Sequence, residues 1–274
     1  MLGVFAGGLA GGFLPGVIGG TALNGFQWTL TAAAVVMGAG LVPMLFIEER
    51  VHGVRGFHRV YLKSAREFDA WGHLGRLIVP QAFLAAGAGL IAPFVPLYLN
   101  HTLGASIGQI GTIQGFAALA VGLVAFGAPV LTRKFGVSGS LLLVQVVALP
   151  FLFLVPAISS LTLGVIVMLT RHSLMSIGGP LWGQQSMEGV RAQDKPFVSG
   201  GLLLAISLTG FVGNILGGRL MEVSYTAPYL PAALLWAAGT ALTWILWVRP
   251  QMQATSSEEP AVLRTQTEPV AEAA

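Results

Sequence analysis

The chain contains no cysteine, which excludes disulfides, thiolate nucleophiles and thiolate-held metals and leaves the redox compartment undetermined. Charge is nearly as scarce: Asp, Glu, Lys and Arg make up 9% of the residues, and Met1 to Ile47 carries none at all. His52, His58, His73 and His101 lack the His-x-x-x-His or carboxylate spacing that a metal site needs. No glycine-rich loop ends in Lys-Ser or Lys-Thr to cradle a phosphate, and the dinucleotide-like glycine spacings of the first segment follow no strand. Accordingly no catalytic residue, no metal ligand and no cofactor is predicted. The net charge of +3 resides in the loops and requires no nucleic acid partner.

What the chain has instead is apolar length. Hydrophobic residues make up 54% and the mean hydropathy is +0.77, far outside the soluble range, so the lipid bilayer is its solvent. Further charge-free stretches run roughly from Leu77 to Thr132, Phe135 to Thr170, Pro196 to Gly218 and Val223 to Val248, each long enough for one or two spans of about 20 residues. Cut at their Gly, Pro, Asn and Ser punctuation, they predict an all-α polytopic bundle of eight transmembrane helices. These lie near Leu2 to Leu23, Trp28 to Ile47, Leu77 to Asn100, Ile107 to Leu131, Ser138 to Ala157, Leu161 to Trp182, Phe197 to Met221 and Pro228 to Val248. Between Ser138 and Thr170 there is too little chain for two crossings and too much for one, so the sixth span must continue through Arg171.

With the first loop outside, Glu48 to Arg76, Thr132 to Gly136, Gly183 to Lys195 and the tail share one face. That face holds twelve of the fourteen basic residues, and the bias makes it cytoplasmic, with a cytoplasmic C-terminus in a plasma membrane protein. Trp28, Tyr225 and Tyr229 near the outer ends, with Trp182 and Trp247 near the inner ends, suit aromatic belts. A seven-span alternative, merging the fifth and sixth, places Arg191 and Lys195 outside.

An internal match bears on organisation. Phe13 to Gly20 aligns with Phe211 to Gly218, 198 residues later, in its Phe and its Gly pair, and after a two-residue slip Ala32-Ala33 falls on Ala232-Ala233. The first two helices thus look like a second copy of the last two, as in a six-helix unit repeated in parallel. On that plan four further helices, about 120 residues, precede Met1. The run Gly127-Ala128-Pro129-Val130-Leu131-Thr132-Arg133-Lys134-Phe135-Gly136 is similar to the cytoplasmic basic-turn motif of the major facilitator superfamily, without its aspartate. Pro15 with Gly19-Gly20 resembles the Gly-Pro-rich motif of the family's fifth helix in exporters. Asp194-Lys195-Pro196-Phe197-Val198-Ser199-Gly200 resembles the entry into its eleventh.

The chain therefore resembles that superfamily from its fifth helix to its twelfth. The resemblance implies residues 1–47 as the last two helices of the N-terminal half and 48–76 as a basic cytoplasmic linker. Residues 77–248 would form a complete six-helix half and 249–274 a disordered tail. Within the linker, Phe57, Val60, Tyr61, Phe68 and Trp71 with interspersed Arg55, Arg59, Lys63 and Arg66 predict a basic amphipathic helix on the membrane surface; a solvated basic loop is the alternative. Gly127, Arg133, Lys134 and Gly136 would be the gating turn.

Gly8, Gly12, Gly16 and Gly20 form one helical row and Gly3, Gly7 and Gly11 another, with Gly210, Gly213 and Gly217 similar on the seventh span. Such rows let helices approach closely. Pro150, Pro156 and Pro180 are candidate kinks, Pro156 equally a helix end. Arg171 is the leading functional residue. A charge near the midplane costs at least about 2.5 to 3.5 kcal/mol, and no acidic residue lies within any span. Its counter-charge would be an anionic substrate or a carboxylate in the absent helices, with snorkelling to the surface as the structural alternative. His172 is the candidate proton site, pointing about 100 degrees away from its neighbour. Asn214 and Gln114 complete the candidate substrate-binding set, ahead of Gln81, Gln109 and Gln145.

The expected function is transport of a small molecule by alternating access, as a secondary transporter and exporter using protons or another coupling ion. The missing N-terminal helices would be needed for activity. The competing expectation is a non-transporting eight-helix membrane protein, either an integral membrane enzyme or an inactive truncated product.

Overall fold

A computed structural model describes residues 2–18, 22–46 and 68–253. Among these there is no strand. The helices are α1 (Leu2–Val17), α2 (Ala22–Ala39), α3 (Trp71–His101), α4 (Ile107–Ala125), α5 (Ala128–Ala157), α6 (Leu161–Met187), α7 (Lys195–Val223) and α8 (Tyr229–Gln253). Six of them, α3 to α8, are long and apolar enough to cross a membrane. The protein is an all-α, multi-pass membrane bundle.

The sixth span does run unbroken through Arg171 to Met187, and α5 and α6 are separate helices, parted by the 3-10 turn Val155–Ala157 at Pro156. Pro150 and Pro180 lie inside α5 and α6. Other boundaries differ from expectation. The 16 residues of α1 extend only about 24 Å, short of the roughly 30 Å hydrocarbon core. α2 starts at Ala22 instead of Trp28, and within it Thr29 Oγ1 donates to Gly25 O and Thr31 Oγ1 to Gln27 O, both at 2.8 Å. α3 begins six residues before Leu77, at Trp71, where Phe68, Trp71 and Phe197 form an aromatic cluster with centroids 4.6 to 5.9 Å apart. α8 continues past Val248 to Gln253 through a π-turn over Trp244–Val248. Phe57, Val60, Tyr61, Arg55, Arg59, Lys63 and Arg66 of the expected surface helix, Gly20, and the tail from residue 254 lie outside the described residues.

From α3 to α8 consecutive helices run in opposite directions, as the contacts at the two ends of α3, α5, α6 and α8 require. At one end the start of α3 meets the end of α6 (His73 Nε2 to Ser186 O, 3.4 Å) and the end of α8 (Trp247 Nε1 donating to Arg76 O, 3.2 Å). At the other, the end of α3 meets the end of α5 and the start of α8: Tyr98 Oη donates to Val155 O at 2.8 Å, and its ring lies 4.9 Å from that of Tyr229. Arg76, Arg133, Lys134, Arg191, Lys195 and Arg249 therefore gather at the first end, with Arg219 and Glu222 toward the second.

The neighbour relations of the six-helix body have an internal symmetry. α3 packs on α7 and α8, α6 packs on α4 and α5, α5 packs on α8, and α3–α4 and α6–α7 touch more lightly. Exchanging α3, α4, α5 for α6, α7, α8 maps every one of these pairs onto another pair in the set. Because three is odd and the helices alternate in direction, the two triplets are inverted relative to each other.

Packing within the body depends on backbone proximity. A Cβ on Gly213 of α7 would strike the carbonyl oxygen of Ala86 on α3, and one on Gly89 would strike that of Gly210. Outside the body, α1 rests on α4 through Gly8 and Gly12 against Gly111 and Gly115. None of its residues is buried, and added Cβ atoms at Gly3, Gly7, Gly11 and Gly16 would meet nothing within 4 Å. The outward surface is apolar: along α7, Leu203, Leu204, Leu208, Phe211, Val212, Ile215 and Leu216 are all exposed. Each would forfeit about 1.5 to 3 kcal/mol if faced with water instead of lipid.

Candidate functional site

Arg171 lies ten residues into α6, about 15 Å along the helix axis, and is half-buried. It turns into the six-helix body. Its guanidinium carbon sits 4.9 Å from the ring centroid of Trp236 on α8. The side chain also lines a cavity of about 270 Å³ walled by α3, α4, α5, α6 and α8. No Asp or Glu occurs in α3, α4, α5, α6 or α8, and the described residues give Arg171 no ion pair. The π face of Trp236 is its visible partner. A desolvated cation–π contact contributes about 2 kcal/mol against an insertion cost of at least about 2.5 to 3.5 kcal/mol. The contact therefore offsets most of the minimum cost and leaves the five N–H donors of the guanidinium open for a ligand.

His172 and Gln114 reach the same cavity from α6 and α4. Both also line a shallower groove of about 630 Å³ beside α1, with Val4, Gly7 and Gly8. The two side chains thus stand where the inner cavity opens toward the α1–α4 contact. Three of the four residues expected to bind substrate or protons converge from two helices, Gln114 and Arg171 being 57 residues apart in sequence.

Asn214 is placed elsewhere. With its amide nitrogen turned toward the carbonyls, it donates to Gly89 O at 2.8 Å and Gly210 O at 3.3 Å, bracing α7 against α3, and it does not line the Arg171 cavity. The basic turn also lies apart. Gly127 follows the end of α4, where Val130 N and Leu131 N donate to its carbonyl. The first part of α5, residues 128–135, presents exposed Arg133 and Lys134, and the helix is kinked at Gly136, with φ of 70°. With ψ of 178° this is an extended positive-φ conformation essentially confined to glycine, and it costs a residue with a Cβ about 1 to 3 kcal/mol. Ser140 Oγ accepts the geometry by donating to Gly136 O at 2.5 Å.

A second cavity, about 480 Å³, lies toward the basic end. It shares Ala88, Met175 and Trp236 with the first, so these three side chains partition the interior. Gln145 borders it at 4% exposure with neither amide atom hydrogen-bonded. Gln81 lines it as well. Gln109 has a different task, closing the capping box of α4 with Ser106.

Sequence reasoning missed Trp236 and misplaced two aromatics. Tyr229 and Trp182, expected in the aromatic belts, are core residues at 1% and 7% exposure. The hydroxyl of Tyr229 and the indole nitrogen of Trp236 are buried without a partner. The signal for both was the spacing of α8: Tyr229, Ala232, Ala233, Trp236, Thr240 and Thr243 recur at three, four and seven, and all are buried. A helix face of small residues carrying two amphipathic aromatics points inward, since lipid would be met by Leu and Val.

The expected metal-free character rests on the histidine spacings; among the described residues no group of three His, Cys, Asp or Glu side chains converges. Neither a protein-family model nor a curated protein matches this chain.

Proposed function

We propose that the chain belongs to a transporter of the major facilitator type, moving a small molecule across the membrane by alternating access. The observation that carries the reading is the exchange symmetry of α3–α5 with α6–α8: nested inverted triplets within a six-helix half are a hallmark of that architecture. In this reading α3 to α8 form one rocking half. α1 and α2 belong to the opposing half, and the glycine-on-glycine contact between α1 and α4 is the surface along which the halves move. Arg171 and Gln114 bind substrate, and His172, exposed at the groove beside α1, is placed to exchange a proton with a coupling gradient. The basic end and the C-terminus face the cytoplasm of a plasma membrane protein, and substrate moves outward.

Alternating access is tested with a cysteine at Gln114, on the groove. Residues 1–274 contain no cysteine, so only cysteines in the helices that this reading places upstream need first be replaced by serine. In inside-out and right-side-out vesicles holding the full-length protein, an impermeant maleimide is expected to reach the site from both faces, and a saturating substrate to slow both reactions. Labelling from one face only, unaltered by any solute, would favour the non-transporting membrane protein.

A further inference from the structure

We propose that the Arg171 cavity binds a compact monocarboxylate with an apolar or aromatic body, the carboxylate held by the Arg171 guanidinium and the Tyr229 hydroxyl; this deepens the transport reading and rests on it for the ligand's fate. The cavity's cation has no carboxylate in the spans around it. Tyr229, at 1% exposure, lines the same space, and its hydroxyl has no partner. Trp236, 8% exposed, adds an indole N–H that is likewise unpartnered and can only donate.

Buried polar groups in proteins are nearly always satisfied. Two unpartnered donors and a cation without a carboxylate, on residues that line one cavity, therefore call for a ligand that brings acceptors and one negative charge. The rest of the lining sets the body of that ligand. Ile91, Leu99, Leu152 and Met168 supply apolar walls. A volume of about 270 Å³ has room for on the order of ten non-hydrogen atoms, taking about 30 Å³ for each water-sized unit. A phosphate dianion would bring a second charge with no second cation and leave those walls facing a hydrated surface. A neutral amide would leave the guanidinium unpaired. A planar carboxylate matches the guanidinium fork and accepts from a phenol at the same time.

The test uses the full-length protein in lipid nanodiscs, titrated calorimetrically with benzoate, phenylacetate and 3-phenylpropionate, each against its neutral amide and against inorganic phosphate. At least one carboxylate is expected to bind tenfold or more tighter than its amide, with phosphate unable to displace it. Tyr229→Phe is expected to weaken that binding by about three- to tenfold. The same variant, free of ligand, should melt at or above the parent temperature, because it deletes a hydroxyl that has no partner. Arg171→Lys should retain part of the affinity and Arg171→Gln none. Equal binding of carboxylate and amide, displacement by phosphate, or a Tyr229→Phe variant with unaltered affinity would each overturn the site. Flux of the bound carboxylate into proteoliposomes is scored separately. Binding without flux keeps the site and removes transport, whereas flux of other solutes without carboxylate binding does the reverse.

Discussion

The α3–α7 contact offers a matched experiment on a single helix. Gly200 and Gly213 both lie within α7, but an added Cβ meets nothing within 4 Å at Gly200. At Gly213 it collides with the Ala86 carbonyl oxygen and comes within 3.1 Å of Gly89 Cα. Changing each to alanine confers the same helix-propensity gain, up to about 1 kcal/mol, so the difference between the two variants isolates the steric cost. The obstacle at Gly213 is backbone, which cannot rotate aside as a side chain would. Forcing one methyl group into such a contact costs about 1 to 3 kcal/mol. Moving α3 away also stretches the Asn214 bond to Gly89 O, 2.8 Å long, and an interhelical bond of this kind contributes about 0.6 kcal/mol. Gly213→Ala should therefore be about 1.5 to 3.5 kcal/mol less stable than Gly200→Ala. Unfolding of the purified proteins in mixed micelles of rising SDS content, followed by tryptophan fluorescence, measures the difference. Equal unfolding midpoints would show that the two helices are not held at backbone contact.

Three further outcomes follow from single groups. Replacing Gln145 by Leu removes two buried, unpartnered amide atoms and should stabilise the protein by about 1 to 3 kcal/mol in the same assay; a loss of stability would mean that the amide is satisfied. Gly136→Ala places a Cβ at φ of 70° and ψ of 178° and should cost about 1 to 3 kcal/mol, which an unchanged midpoint would refute. Ser138 Oγ donates to Gln185 Oε1 at 2.8 Å, both groups being buried. Ser138→Ala should therefore destabilise by about 1 to 3 kcal/mol while Ser138→Ala with Gln185→Leu recovers most of the loss; equal loss in the double variant would show that packing, not the bond, is at stake.

How much of this was legible in the sequence differs between the helices and the site. Spans α3 to α8 were legible because charge is costly in lipid, so Arg76, Arg133, Lys134, Arg191, Lys195 and Arg249 mark helix ends as surely as turns do. The continuation of α6 through Arg171 followed from chain length alone, and it is one helix. A boundary failed where an aromatic cluster extended a helix past its last apolar turn, as at Trp71.

The candidate site was legible in its charge and not in its surroundings. Arg171, His172 and Gln114 stood out because each is anomalous for its solvent. Asn214 was equally anomalous, yet its carbonyl partners are backbone atoms that no side-chain pattern reveals. Tyr229 is the instructive case. A tyrosine at a helix end fits a membrane interface on composition alone, and only the seven-residue step to Trp236, with small residues between, tells that this face of α8 turns inward. The rule that follows is directional: in a membrane helix the identity of an aromatic residue indicates depth, while the size of its neighbours at three and four residues indicates whether it faces lipid or protein.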